Sequence, residues 1–319
     1  MFAARCIGVS LAVFVLLYVF LSLLISRGWK LMRRTLRPRS ARGAADLLFA
    51  LRILPLGISV VVTLAFTVPS FLLLEPRSTG EAIGIAPLAL GICCLLLFSA
   101  GIVRAALAQL RASRALVAWL RGSALMEPQI EESGTDVPIF RIGNDAPTFT
   151  VAGVCAPKVL VSEAAIATLT SRELRTALRH EIAHAIRYDN LRKLLFRFSA
   201  FPAMAELEHA WSEETEMAAD DAAVSSFDDA LDLAAALIKV SRLGPVEFSG
   251  ELTMALLHSS TALSARVHRL VAWDQAQKVQ SRARWFYVVT AVAAVLVAAV
   301  TTYGSVLSQM HAMTEWLVR

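Results

Sequence analysis

The stretch ALRHEIAHAIRYDN, residues 177–190, carries two histidines four positions apart, His180 and His184, with Glu181 directly after the first. In an α-helix, residues i and i+4 lie on one face about one turn apart, so both imidazoles are able to bind one metal ion. Glu181 is then placed to take a proton from a water molecule at the metal. Zinc is the usual ion for such nitrogen ligands with one open position. Because HExxH also occurs by chance, a charged helix face is the alternative interpretation.

A third ligand is expected in the downstream segment EETEMAADDAAV. Glu216 and Asp220 are again four positions apart, so a second helix can present a carboxylate to the metal. Asp220, one turn later, would hold a ligand imidazole by its other nitrogen. Glu216 alternatively belongs to a solvated acidic run with Glu213 and Glu214, and the choice among these three glutamates stays open.

The local pattern places these residues on helices behind a small sheet. The sequence TSRE is typical of a capping box, with Thr170 as the N-cap and Glu173 at the third helical position. Apolar residues then repeat at helical spacing through the two histidines. Upstream, the short runs PIFRI, TFTVAG and KVLVS are rich in strand-forming residues and are bounded by Gly and Pro, which predicts a small sheet. The downstream segments are rich in alanine and predict further helices.

The composition indicates a membrane protein. Of 319 residues, 56% are hydrophobic and 18% charged, and the mean hydropathy is +0.59. The formal net charge of +5 does not indicate direct nucleic-acid binding, because the densest basic group follows an apolar run, as expected beside a bilayer. The four cysteines show no disulfide framework, which is compatible with a reducing compartment.

Four apolar runs are long enough to cross a bilayer. The predicted fold class is therefore mainly α, a multi-pass membrane protein with a cytoplasmic α+β zincin-like peptidase domain inserted between the third and fourth transmembrane helices. The predicted spans are about 7–25, 53–74, 83–107 and 285–306. The predicted domains are a membrane domain at 1–119, the peptidase domain at 120–283, and the fourth span with a short external tail at 284–319.

Basic residues predict the orientation. They cluster between the first and second spans, after the third span and before the fourth, and the positive-inside rule places all three flanks in the cytoplasm. Both termini are then external, and the peptidase domain is cytoplasmic.

The segment KVLVS, followed by LTSRELRTALRHEIAHAIRYDN and EETEMAADDAAV, resembles the cytoplasmic peptidase domain of the BlaR/MecR-type membrane metallopeptidases. These β-lactam-sensing signal transducers belong to the glutamate zincins, with HExxH and ExxxD motifs. The similarity covers most of residues 120–285, and the order of three spans, peptidase domain and fourth span is also similar. The family's extracellular penicillin-binding domain is not expected here, because a short tail alone follows the fourth span.

The resemblance implies that His180, His184 and Glu216 bind one zinc ion, that Glu181 is the catalytic base and that Asp220 supports the ligands. For stabilising the oxyanion, the available polar residues are His209, His258, Arg266 and His268, and similarity to related membrane zincins favours His258 and Arg266 as catalytic residues. Asp189 falls where such proteins carry an acid after the helix. A salt-bridged helix end with Arg187 is the interpretation we favour for it.

The expected function is zinc-dependent cleavage of a protein or peptide substrate on the cytoplasmic side of a bacterial inner membrane, with a cytoplasmic repressor as the family-based substrate. The substrate would lie along the sheet edge formed by FTVAGV, where the lone Cys155 is more often a small buried residue than a zinc ligand. A sensor partner or a homodimer is compatible with this role. The alternatives are a membrane quality-control protease and a non-catalytic signalling scaffold with a structural metal site.

Overall fold

The computed structural model describes residues 2–32, 40–75, 84–121, 123–126, 137–143, 147–199, 201–243, 254–255, 260–273, 303–309 and 312–313. Two compact units make up the chain. The first contains Met1–Met32, Leu51–Ala100 and Lys278–Arg319, and the second contains Arg33–Ala50 and Gly101–Gln277.

Long apolar helices form the N-terminal third of the chain. They are α1 (Phe2–Met32), α2 (Ala41–Val62), which continues through a π-helical turn (Thr63–Thr67) into α3 (Val68–Leu74), and α4 (Ile85–Leu120). Among the described residues, three helical stretches are long and apolar enough to span a membrane: Phe2–Leu31, Ala41–Leu74 and Ile85–Leu120. Each is longer than the apolar run read from the sequence, because the helix continues into its basic flank. Most of the predicted fourth span, 285–306, lies outside the described residues.

An ion pair and an apolar cluster join α1 to α3 in the first unit. Cys6 and Val9 pack on Phe71, and Arg5 lies 3.1 Å from Glu75, with both side chains buried. A buried charge is costly in apolar surroundings unless it is paired, so this ion pair fixes α1 against the end of α3.

A small sheet begins the second unit. Its strands are β1 (Ala124–Leu125), β2 (Ile139–Ile142), β3 (Phe149–Ala152), β4 (Lys158–Ser162) and β5 (Met254–Ala255), in the order β1-β2-β4-β3-β5 within the described residues. β2 and β4 run parallel, and the other pairs are antiparallel. The small sheet predicted from the three strand-like runs is confirmed.

Helices follow the sheet: α5 (Glu163–Thr168), α6 (Ser171–Ile186), α7 (Asp189–Phe198), a 3-10 turn (Pro202–Met204), α8 (Ala205–Ala223), α9 (Phe227–Arg242) and α10 (Ser260–Val271). β4 is covered on both faces. Val159 and Val161 join the main core with α6 and α9, whereas Leu160 packs toward Trp119 and Leu120 of α4. Burial on both faces explains the continuous apolar run in KVLVS.

The predicted capping box of α6 is confirmed. The Thr170 side chain accepts a hydrogen bond from the Glu173 backbone N–H, and the Glu173 carboxylate accepts one from the Thr170 N–H. Lys239 of α9 also donates to Glu173 at 2.8 Å. The start of the histidine-bearing helix is therefore fixed both locally and by the helix packed against it.

The sheet edge differs from the sequence interpretation. β3 is not an edge strand at Thr150 and Val151, because β5 pairs with it antiparallel at these residues. Cys155 lies beyond the end of β3 and is exposed, so the interpretation of this cysteine as a small buried residue is wrong. A segment distant in sequence completes the sheet, and short-range patterns do not reveal such a partner.

Candidate metal centre

His180 and His184 lie on the buried face of α6, and their side chains are 0% and 1% exposed. Their Nε2 atoms are 3.2 Å apart, and the two rings are nearly perpendicular at 81°. Two nitrogens bound tetrahedrally to zinc at the usual bond length would be separated by about 3.4 Å. The two imidazoles therefore have the separation that a shared metal ion requires.

Glu216 of α8 brings a carboxylate to the same point. Its Oε2 lies 3.6 Å from His180 Nε2, and its Oε1 lies 3.7 Å from His184 Nε2. One ligand atom from each of the three residues lies within 4.8 Å of the others. This buried His180–His184–Glu216 group is able to bind a metal ion.

The other two glutamates of the acidic run point elsewhere. Glu213 is about half exposed and lies 3.5 Å from His209, itself a surface residue with a side chain 77% exposed. Glu214 is half-buried, and burial raises its pKa. Burial therefore selects Glu216 as the third ligand from the three glutamates that the sequence left open. Small side chains permit the close approach of α8 to α6, since Ala218, Ala219 and Ala223 are buried.

Each imidazole contacts a buried aspartate through its other nitrogen. His180 Nδ1 lies 3.0 Å from Asp220 Oδ1, and His184 Nδ1 lies 2.8 Å from Asp189 Oδ2. A carboxylate at Nδ1 holds the proton there and leaves the Nε2 lone pair for a metal. Asp220 was expected in this position from the sequence.

The role of Asp189 was missed by sequence reasoning. The predicted contact with Arg187 is present, with Arg187 Nε 3.6 Å from Asp189 Oδ1, but the second carboxylate oxygen binds the ligand His184. Tyr188 makes this possible, because its left-handed backbone (φ 53°) turns the chain sharply between α6 and α7. The signal in the sequence that could have predicted this contact is an acidic residue shortly after the helix that carries HExxH.

Glu181 is fully buried beside the metal ligands. Neither of its carboxylate oxygens has a hydrogen-bond partner within the described part of the chain, and burial raises its pKa to about 8. Buried polar groups are nearly always hydrogen-bonded, so an unpartnered carboxyl at a candidate metal site indicates a functional role.

Arg266 of α10 joins the centre from a distant part of the sequence. Its guanidinium donates to Glu216 Oε2 at 2.8 Å and to both Asp220 oxygens at 2.7 and 2.9 Å. Its Nη2 also lies 3.5 Å from His180 Nε2. Although burial raises the pKa of Glu216, Arg266 and the two histidines together outweigh this effect and hold that pKa well below its usual range. Glu216 Oε1 is left without a hydrogen-bond partner among the described residues.

The four candidates for oxyanion stabilisation have different locations. Arg266 is in the centre, where it binds the ligand carboxylate, and its action on an oxyanion stays a prediction. His209 and His268 are exposed on α8 and α10. His258 lies outside the described residues.

The donor atoms of the centre fit a zinc ion. Two imidazole nitrogens and one carboxylate match the His₂Glu donor set of catalytic zinc. Glu216 Oε1, which has no hydrogen-bond partner among the described residues, is available as a donor atom for the ion.

Comparisons with protein-family models and with curated proteins return no match. The resemblance to BlaR/MecR-type peptidases therefore rests on the residues of the chain itself.

Proposed function

We propose that this chain is an integral membrane zinc endopeptidase that cleaves a protein substrate at the cytoplasmic face of a bacterial inner membrane. The observation that carries the proposal is the buried His180–His184–Glu216 group, with Glu181 unpartnered beside it. The three long apolar helices support the membrane location, and the positive-inside rule supports the orientation. By its resemblance to signal-transducing peptidases, the substrate is a cytoplasmic repressor.

Each residue has a distinct task in this proposal. His180, His184 and Glu216 would hold the ion, while Asp220 and Asp189 keep the imidazole protons on Nδ1. A zinc ion bound there would act as a Lewis acid toward a peptide carbonyl and make water more acidic. Glu181 accepts the proton of the attacking water on a carboxylate oxygen and later donates it to the leaving amine. Its raised pKa suits both steps.

Arg266 orients the carboxylate ligand. Its bond to Glu216 Oε2 leaves Oε1 for the metal, and its bonds to Asp220 fix the residue that holds His180. A peptide substrate would pair with β3 beside α6, as extended peptides commonly add to a sheet. Since β5 already pairs with Thr150 and Val151, the substrate would have to replace it there or bind beyond it.

The signalling scaffold with a structural metal stays the second candidate, because the three donor side chains are at most 5% exposed. Structural zinc sites are closed, whereas catalytic sites keep an open position. Glu181 argues for catalysis, since a structural site has no use for a fourth buried carboxyl group without a partner.

Glu181→Gln separates the two candidates. The substitution keeps the shape of the side chain but removes the proton acceptor. The detergent-solubilised full chain would be assayed on a quenched-fluorescent library of extended peptides, with zinc content measured on the same samples. We expect the variant to retain zinc and lose about 10²–10⁴-fold in cleavage rate. The exposed Glu213→Gln on α8 serves as the matched control and should cleave normally. Cleavage by Glu181→Gln at the wild-type rate would contradict the assigned role of Glu181.

A further inference from the structure

The first turn of α7 supports the metal centre from outside the ligand set. Asp189 binds His184 Nδ1, and the Asn190 side chain donates to the carbonyls of Val151 and Gly153 at 2.9 and 3.1 Å. Both side chains are buried. The position of α7 therefore determines where the Asp189 carboxylate lies, and with it the orientation of the His184 imidazole.

The N-terminal part of α2 packs against one side of α7. Arg192 donates to Asp46 at 2.9 Å and lies over the Phe49 ring, 4.9 Å from its centroid. One turn further along α7, Phe196 contacts the same Phe49 ring with centroids 5.7 Å apart. Arg192 and Phe196 are four positions apart, so α2 contacts a single stripe of α7.

α4 and α8 contact α7 as well. A side chain added at Gly101 of α4 would clash with the Phe198 carbonyl oxygen, so only glycine permits the observed approach. Phe196 also packs edge-on against Trp211 of α8, the helix that carries Glu216. α7 is thus enclosed on several sides, and residues 41–50 and 101–120 of the long helices belong to the same compact unit as the metal centre.

We propose that Asp46 and Phe49 are positioning residues for the metal site. They hold α7 through Arg192 and Phe196 in the place from which Asp189 orients His184. This inference rests on the proposed function, because it requires the His180–His184–Glu216 group to bind zinc.

In this proposal, α2 regulates the metal site. α2 continues without a break from Asp46 and Phe49 into a stretch apolar enough to span a membrane. A rotation or shift of this helix would move Arg192 and Phe196 and thereby change the orientation of a metal ligand. The arrangement of the membrane helix would then set the zinc affinity and geometry of the site.

Replacing Asp46 and replacing Phe49 should affect zinc binding to different extents. The Asp46 side chain is 48% exposed, and exposed ion pairs contribute little, so removing or reversing its charge should have a small effect. Phe49 contacts both Arg192 and the buried Phe196, so its truncation should have the larger effect. Both effects should be smaller than the roughly 10–100-fold loss of affinity typical when the residue that hydrogen-bonds a metal ligand is itself replaced.

The test uses the full chain in detergent, with zinc affinity measured by competition with a chelator and ligand geometry by the visible spectrum of the Co²⁺-loaded protein. The variants are Phe49→Ala, Asp46→Arg and His184→Ala. The control is Glu163→Arg, which disrupts an exposed ion pair with Arg141 elsewhere in the same unit. We expect Phe49→Ala to weaken zinc binding about 5–10-fold, Asp46→Arg to weaken it less, and both to shift the cobalt bands. Glu163→Arg should leave both readouts unchanged.

Wild-type affinity and spectrum in Phe49→Ala and Asp46→Arg would overturn the inference and leave the proposed function intact. Weaker binding with an unchanged cobalt spectrum would also overturn it, because it would indicate a general loss of stability. A wild-type chain that binds no zinc, or zinc binding that survives His184→Ala, would instead overturn the proposed function.

Discussion

The two ends of α6 carry similar numbers of charged and polar groups in opposite surroundings. At its start, Arg172, Arg175 and Arg179 line an open groove across from acidic residues of α9, namely Asp228, Asp229 and Asp232. At its end, His180, Glu181 and His184 are at most 1% exposed. Arginines and aspartates in the open groove stay in contact with solvent, so their pairing contributes little to stability. At the buried end every charge needs a partner, so removing one partner leaves an uncompensated buried charge.

Replacing Arg266, which is buried at the metal centre, should have the largest effect on stability. Arg266→Ala leaves Glu216 and Asp220 buried without their cation, which should cost about 3–5 kcal/mol in the zinc-free protein. Added zinc should restore part of the loss, because it replaces the missing positive charge. Denaturant unfolding in mild detergent, with and without zinc, measures both effects. A loss no greater than that of Arg179→Ala would contradict the distinction between the two ends.

Replacing either orienting aspartate should weaken metal binding. Asp189→Asn and Asp220→Asn keep the size of the side chain but remove the negative charge at the imidazole Nδ1. We expect about 10–100-fold lower zinc affinity in each variant, measured by chelator competition. Asp229→Asn, in α9 beside Arg179, is the matched control and should bind zinc like the wild type. If all three variants bind equally well, the carboxylates do not support the ligands.

A cap beside the open groove should affect stability without affecting the metal. Ser226 Oγ accepts a hydrogen bond from the Asp229 backbone N–H at 3.1 Å and caps α9. Ser226→Ala should cost about 1 kcal/mol in the free energy of unfolding. Zinc content should not change, and a loss of zinc would show that the two ends of α6 are coupled.

The smallest effect is expected for a partly exposed ion pair in the groove. Arg179 lies 3.8 Å from Asp229, and both side chains are partly exposed. Arg179→Ala should change the free energy of unfolding by at most about 1 kcal/mol, and the difference should shrink as salt screens the charges. Unfolding at low and high salt measures this, and a larger effect that salt does not reduce would argue that the groove is effectively buried.

Short-range patterns predicted the parts of the structure that depend on neighbours in sequence. The capping box at Thr170, the helix carrying both histidines and the small sheet all follow from a few adjacent residues. The pair of Glu216 and Asp220 on one helical face was recognisable for the same reason. Which glutamate reaches the metal was not, because the choice depends on how α8 packs against α6.

Long-range contacts account for what the sequence did not determine. Asp189 reaches His184 because Tyr188 adopts a left-handed conformation, and tyrosine gives no clear signal of that conformation. Arg266 lies far along the chain from Glu216, and the packing of α10 alone brings them together. The pairing of β5 with β3 likewise depends on a distant segment, so β3 looked like an edge strand in the sequence.

The most direct test of a three-residue zinc centre is the zinc content per chain of the purified, detergent-solubilised protein. The samples are the wild type, His184→Ala, Glu216→Ala and, as a control on the same helix as Glu216, Glu213→Ala. We predict one zinc ion per chain in the wild type and in Glu213→Ala, and none in the other two variants. A wild type without zinc, or zinc retained in Glu216→Ala, would contradict it.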